Sequence, residues 1–555
     1  MEKKRTSSQN FLTGAAILSL ATIIVKVIGM FYKIPLNAFI GEQGYTYFTA
    51  AYDIYTVLLV ISTTGLPVAV SRMVSESYTL GNGRQVERIF KTALIAYLSI
   101  GLVGTGVMML LPNLLADMMG TPKASYSIFA LGPAVVCICF ASACRGYFQG
   151  QGNMTPTAVS QIIEAAAKLL LGLSLAYVVM RLTSSSAYAS GATIAGISAG
   201  AALSALYMFF RRRKNQRQLD TLGGCVTSYR ATAKKLMAIA VPITIGSAGL
   251  QLINLLDSMT VVRRLASAAK GSGTIVNKLM AIASLAPSGD QSLAQDAAEI
   301  GKGIYSFCQT VFNLPTALIP CITAAIIPAI TAALTRGDRR GVKQVQDSSL
   351  RVMALIATPC AVGLLVLAEP IMALLGGYDG EKLKLAAWLL ALLAPTVLIN
   401  SITSMTTAIM QAHDHMVFPV INTLIGGILK VVVNYILVGN PDIGILGAPV
   451  GTFVCFFVIM VLNISTMRYV LEEPPRIFPT LWRSLIASAV MGVAAFGSYR
   501  LLMGFFASYA LCGLAAIAVA VVVYFILVIL LKALTREDCL LLPKGEKIAN
   551  ILRIQ

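Results

Sequence analysis

KVIGMFYKIPLNAFIGEQGYTYFTAAYDIYTVLLVISTTGLPVAVSRMVSE, residues 26–76, places Lys26, Lys33, Asp53, Arg72 and Glu76 in or beside two long apolar segments, each interrupted by a proline, Pro35 and Pro67. An ionisable side chain at membrane depth costs roughly 2.5–3.5 kcal/mol on insertion scales, so it normally faces a bundle interior or a watery cavity. The stretch therefore reads as one wall of a polar cavity inside a membrane protein. A second reading stays open, with the charges at helix ends and the lysines snorkelling to the headgroups. Arg72 and Glu76, four residues apart, equally fit a helix-end ion pair.

Composition agrees with the class. At 57% hydrophobic and 12% charged residues, with mean hydropathy +0.78, 555 residues are far too apolar for a soluble fold of this size. Met1-Glu-Lys-Lys-Arg opens on an apolar run too long for a signal-peptide core, so it reads as a first membrane span. Cysteines such as Cys137, Cys139, Cys321, Cys360, Cys455 and Cys512 sit in apolar segments without a C-x-x-C pair and read as small buried hydrophobes. His413 and His415 flank Asp414 without further ligands nearby, so no metal site is expected.

A span needs about 20 apolar residues, and by that length about 14 segments qualify: 10–40, 46–78, 87–111, 125–148, 156–181, 189–210, 235–262, 303–334, 350–376, 384–411, 417–438, 444–467, 481–504 and 507–533. The formal charge of +19 is clustered rather than spread over one surface, which argues against nucleic acid. Basic clusters follow every second span: Lys3, Lys4 and Arg5; Arg84, Arg88 and Lys91; Arg145; Arg211 to Lys214; Arg336 to Lys343; Arg468 and Arg476; Lys532, Arg536, Lys544 and Lys547. The positive-inside rule then puts both termini in the cytoplasm of a multi-pass plasma-membrane protein. Residues 263–302 are expected outside despite Arg263, Arg264, Lys270 and Lys278, with 275–286 either a short interfacial helix or a surface loop.

Internal duplication organises the chain. Pro67 has a counterpart 261 residues on at Pro328, and Gln149, Met154 and Lys168 have counterparts 262 residues on at Gln411, Met416 and Lys430. Gly196-x3-Gly200 matches Gly447-x3-Gly451 at a separation of 251. The fold expected is an all-α polytopic membrane protein of two six-span lobes, 1–214 and 235–470, joined by a basic linker, 215–234, with two further spans and a cytoplasmic tail in 471–555. Parallel repeats of this kind rock against each other around an interface site, the geometry of a transporter.

Lys26 and Lys33, seven apart, share a helix face and lie about 10 Å apart along it. Glu164 and Lys168 share a face of the fifth span, and Lys430 is the repeat mate of Lys168. With Asp53 these form a candidate cationic cavity suited to an anionic headgroup such as a diphosphate; a structural Glu164–Lys168 pair is the alternative. Arg72, Glu76, Asp257 and Arg263 are candidate gating or helix-end charges. Pro35, Pro67, Pro315 and Pro328 are candidate hinges, as proline bends helices, although membrane helices tolerate it generally.

Several stretches resemble a family: Asp53-Ile-Tyr with Gly65-Leu-Pro-Val-Ala-Val-Ser-Arg-Met-Val-Ser-Glu76; Arg145-Gly-Tyr-Phe-Gln-Gly-Gln-Gly-Asn-Met-Thr-Pro-Thr-Ala-Val-Ser-Gln161; Gly303-Ile-Tyr with Asn313-Leu-Pro-Thr-Ala-Leu; and the tail Leu534-Thr-Arg-Glu-Asp with Leu542-Pro-Lys-Gly-Glu-Lys-Ile. They are similar to the SpoVB/YtgP branch of the MOP (MATE-like) exporter superfamily, related to the lipid II flippases. The resemblance covers nearly the whole chain. It implies a V-shaped fold of 14 helices, and a role for Lys26 in the segment where those flippases carry a cavity arginine. Lys33 matches a second basic position after a one-residue shift, and Cys308-Gln309-Thr310 stand where the family carries an arginine.

The expectation is a flippase that moves a polyprenyl-diphosphate-linked glycan between leaflets, with no bond made or broken and no cofactor. Coupling to the membrane potential or to a monovalent cation is left open. No G-x-x-x-x-G-K-[ST] sequence occurs, which argues against direct use of ATP. The rivals are a MATE-type exporter of drugs or small cations, which calls for an acid-dominated cavity; a flippase for polysaccharide repeat units; and a membrane-embedded glycosyltransferase, which calls for a set of carboxylates. For the last, the outer loops are expected to offer only Asp117, Asp290, Asp296 and Glu299. Oligomeric state is not legible.

Overall fold

The computed structural model describes residues 2–219, 226–284, 292–317, 319–506, 508–531 and 533, and all regular structure among them is helical. Residues 220–225 of the expected linker, Asp290, Lys532, the side chain of Pro328, and the tail motif from Leu534 with Arg536, Lys544 and Lys547 lie outside what is described. Chain contacts divide it into two compact units, 1–263 and 264–555.

The first unit holds α1 (Glu2–Thr63), α2 (Gly65–Thr79), α3 (Gly83–Leu110), α4 (Pro112–Met119), α5 (Ser125–Gly150), α6 (Thr155–Thr183), α7 (Ser186–Leu219) and most of α8 (Tyr229–Ala268). The second holds α9 (Thr274–Ser284), α10 (Leu293–Thr316), α11 (Ile319–Thr335), α12 (Arg339–Val366), α13 (Ala368–Gly376), α14 (Gly380–Ala412), α15 (Val417–Leu437), α16 (Gly447–Val470), α17 (Ile477–Phe505) and α18 (Tyr509–Leu530). Each expected span falls on one helix or on a consecutive pair, and α9 makes 275–284 a short helix, one of the two readings open for 275–286. Among the described residues, eleven helical stretches are long and apolar enough to cross a membrane, the first of them, Leu20–Thr79, covering two expected spans. The protein is a multi-pass membrane protein.

Local chemistry sets the ends. The Asn82 side chain accepts from the Gln85 amide at 3.0 Å to start α3, and Asp338 does the same for Gly341 at 2.9 Å to start α12. Pro112 opens α4, where its missing N–H costs nothing.

The bends depart from expectation. The first lies at Gly41, in the left-handed region at φ 69°, rather than at Pro35, six residues earlier inside unbroken helix. Proline removes one hydrogen bond, whereas the left-handed region is open to glycine without a Cβ penalty. The expected outer loop at 41–44 is accordingly a kink in a continuous helical path. The next break is at Thr64, and Pro67 follows in the first turn of α2, where proline fits. Pro315 does stand beside a break, in the last turn of α10, while α11 runs unbroken through position 328.

The contact division falls at Arg263, beyond the expected linker, because α8 packs on the first unit. A Cβ on Gly65 would meet the Ala240 carbonyl and Thr244, Lys235 pairs with Glu76, and Arg263 donates to the Asp117 carbonyl.

In both units a pair of helices closes over glycine. A Cβ on Gly196 of α7 would strike the backbone of Gly172 on α6, and one on Gly451 of α16 would strike the Asn434 side chain on α15. Small residues let membrane helices approach this closely. Position 434 lies 262 beyond position 172, the same offset as Lys430 from Lys168. The glycine equivalent by packing to Gly196 is therefore Gly451, one helical turn beyond the pairing with Gly447 that spacing suggests.

Candidate functional site

The first unit gathers partly buried charge where α1, α5, α6 and α7 meet. Along α1, Tyr45, Phe48, Tyr52 and Tyr55 recur at helical spacing, with ring centroids 6.0, 5.8 and 5.7 Å apart in succession. This apolar column fixes the Tyr52 ring. Tyr32, fully buried, lies 6.1 Å from Phe48, and its edge rests where a Cβ on Gly172 would intrude. The two rings frame the end of Lys168: its Nζ is 4.8 Å from the centroid of Tyr32 and 4.8 Å from that of Tyr52. An aromatic face attracts an ammonium through the ring quadrupole, more strongly where water is excluded.

Glu164, one turn before Lys168, makes no ion pair with it. Its Oε2 instead takes Arg145 Nη2 at 2.9 Å, with the guanidinium also donating to Ser160 at 3.0 Å and Ser204 at 3.2 Å. Ser160 in turn donates to the Thr157 carbonyl at 2.8 Å. Lys33 is partly buried, within electrostatic range of Tyr52, Lys168 and Asp53. The neighbourhood thus holds Lys33, Arg145 and Lys168 against Asp53 and Glu164, an excess of positive charge with Lys168 engaged by rings rather than by a carboxylate.

Of the expected cavity residues, Lys33, Asp53, Glu164 and Lys168 come together. Lys26 sits about 10 Å back along α1 and is exposed, and Lys430 is partly buried on α15 of the second unit. Glu76 pairs across helices with Lys235 at 2.8 Å rather than with Arg72, because α8 runs beside α2; both partners are half exposed, and such pairs contribute little. Asp257 is buried inside α8, three turns before the helix ends. Arg264 stacks on Tyr435 at 4.2 Å and donates to its carbonyl.

Two groups escaped sequence reasoning. By the positive-inside pattern Arg145 reads as one of the basic clusters between spans, yet it lies inside α5, which continues to Gly150. Asp296 and Glu299, read as outer-loop acids, are buried with Lys302 on α10. Their three-residue spacing, one helical face, was the available signal.

The second unit joins the corresponding helices differently. Asn463 of α16 donates to Thr406 at 3.3 Å and Thr407 at 3.1 Å on α14, and accepts from Asn422 of α15 at 2.9 Å. All of this polarity is uncharged.

A family model described as polysaccharide biosynthesis protein matches residues 11–334. The chain belongs to that family. A second model, lipid II flippase MurJ, matches residues 274–517. Among curated proteins of Bacillus subtilis (strain 168), the chain is 26% identical to lipid II flippase MurJ over 523 residues, covering 90% of each chain. It is 24% identical to stage V sporulation protein B over 542 residues, covering 97% of this chain and 98% of that one. Among solved structures, lipid II flippase MurJ in an inward closed conformation superposes with TM-score 0.68 at 13% identity, over 92% of this chain and 98% of that one. A multidrug resistance MATE transporter of the MOP superfamily, inward-facing, gives 0.60 at 15% identity, over 79% and 94%. These likenesses show that the fold is that of the solved flippase and multidrug transporter structures.

Proposed function

We propose that the protein is a flippase for a lipid-linked oligosaccharide, with peptidoglycan lipid II as the leading substrate, and that the Lys33–Lys168 neighbourhood of the first unit receives its diphosphate. The observation that carries this is Lys168 framed by two tyrosine rings while the nearest carboxylate on its own helix is engaged by Arg145. A cation held in an aromatic frame offers a phosphate oxygen a charge-assisted hydrogen bond. Lys26 extends the positive path along α1. The surplus of cations favours an anionic cargo over the cationic drugs of a MATE-type exporter.

Both termini are cytoplasmic in this reading, on the positive-inside distribution. Moving negative charge outward then follows an inside-negative potential, which supplies about 2.3 kcal/mol per charge per 100 mV. The test is depletion in a cell without a redundant flippase, followed by labelling of precursor exposed on the outer leaflet. Exposed precursor should fall as the protein is depleted; an unchanged level removes lipid II as the substrate.

A further inference from the structure

We propose that Arg145 is a positioning residue which, by holding Glu164, keeps the Lys168 ammonium available to a phosphate-bearing anion. This rests on the reading of the site just given and adds a residue that acts through another.

Glu164 and Lys168 stand four apart on α6, with the glutamate on the N-terminal side, the order that favours a same-helix ion pair. Yet the pair is not made. Glu164 Oε2 is 2.9 Å from Arg145 Nη2, and the Lys168 ammonium is turned to two rings at 4.8 Å. Three donations, to Glu164, Ser160 and Ser204, hold the guanidinium across α6 and α7, so the carboxylate is drawn from the lysine by a fixed fork. Without Arg145, Glu164 would be a partly buried carboxylate one turn from an ammonium. The two would close on each other, and a closed pair offers an incoming phosphate little.

Helix packing alone does not require this charge. At the positions 262 residues further on, Arg145 is replaced by Thr407 and Glu164 by Gly426, and the same helices of the second unit are tied by Asn422 and Asn463. A purely structural clasp is thus available in uncharged form in this fold.

The experiment measures binding of undecaprenyl diphosphate to the full-length protein in nanodiscs, on the fraction that is monodisperse by size exclusion. Arg145→Gln should weaken binding about tenfold or more, the scale of losing one charge-assisted contact. Glu164→Gln breaks the same ion pair yet should bind slightly tighter than wild type, and Arg145→Gln with Glu164→Gln should recover most of the loss. In a Lys168→Met background, Arg145→Gln should add little. Equal weakening by Arg145→Gln and Glu164→Gln would mark the pair as a structural clasp and overturn the proposal, as would additive losses from Arg145→Gln and Lys168→Met. If Lys168→Met binds as wild type does, the site itself is misassigned and the proposal falls with it.

Discussion

The junction of α5, α6 and α7 and its counterpart of α14, α15 and α16 solve one packing problem with different chemistry. Pro133 and Pro395 both lie inside the first helix of each trio, 262 residues apart, and glycine closes the last helix onto the middle one in both. Where the first trio places Arg145, Ser160 and Glu164, the second has Thr407, Asn422 and Gly426. A partly buried ion pair still carries a desolvation cost that an amide network avoids, and it seldom improves stability over uncharged packing. Since the neutral solution exists in the same chain, the charged one is better explained by what it presents to a ligand than by what it holds together.

The largest expected effect tests the shared part of that comparison. Gly196→Leu drives a side chain into the Gly172 backbone, which cannot yield, and beside it the Tyr32 ring that frames Lys168. Overpacking of this kind costs about 1–3 kcal/mol or more, and loss of monodisperse protein on size exclusion is the expected outcome. Gly451→Leu meets the Asn434 side chain instead, which can rotate away. It should lower yield less; equal damage at both would mean that the two close approaches are equivalent after all.

The next effect tests the difference. Lys168→Met should cost roughly 1.5–3 kcal/mol of anion binding, the range for hydrogen bonds to charged groups, with folded yield retained. Lys430→Met should cost less, because the position matching Glu164 before it is a glycine, Gly426. Complementation of a depleted strain by the two variants gives the same ranking. If Lys430→Met proves the more damaging, the anion site belongs to the second unit.

Much of the helical layout was legible in sequence because membrane insertion imposes long apolar runs, and each such run falls on a helix or a consecutive pair. The convergence of Lys33, Asp53, Glu164 and Lys168 was legible too, since ionisable residues at membrane depth seldom face lipid. Arg145 was not. A cation near the end of an apolar run satisfies the positive-inside rule as well as it satisfies a buried pair, and only the tertiary approach of α6 distinguishes them. The aromatic frame escaped for a related reason: Tyr32 and Tyr52 belong to different limbs of α1, and the kink at Gly41 that lets them meet was expected to be a loop. Spacing also misplaced the repeat glycines by one turn, because Gly-x3-Gly recurs every turn and packing alone fixes the register.

A smaller effect probes the neutral junction. Asn463→Ala removes donors to Thr406 and Thr407 and takes the closer of two acceptors from the Asn422 amide, leaving it Thr466 Oγ1 at 3.4 Å. A buried polar group left without a partner costs about 1–3 kcal/mol. Thermal unfolding in detergent should shift down by several degrees, while undecaprenyl diphosphate binding stays near wild type. A loss of binding out of proportion to the loss of stability would give this junction a share of the site and weaken the contrast between the units.

The smallest effect lies at the end of the same trio, where α14 stops. Burial, with His415 nearby, holds the His413 imidazole below its usual value near 6.5, and its Nε2 lies 3.0 Å from the Gln346 amide nitrogen. That geometry has the amide donating to a neutral ring. Asp338, Arg339, Glu472 and Glu473 line the same concavity, but Arg339 and Glu472 are paired at 2.8 Å and largely offset one another. A histidine with a depressed native pKa binds fewer protons folded than unfolded, so stability should be level above about pH 7 and fall as the pH drops through the unfolded value near 6.5 toward the lower native one. His413→Gln keeps a hydrogen-bonding side chain but cannot titrate, so it should flatten this acid limb in melts taken between pH 7.5 and 5.5. The partner helix in the first unit ends in Gly150 and Gln151, without a histidine, so no second limb is expected from the matching turn. An acid limb that persists unchanged in His413→Gln would assign the titration to the carboxylates around it.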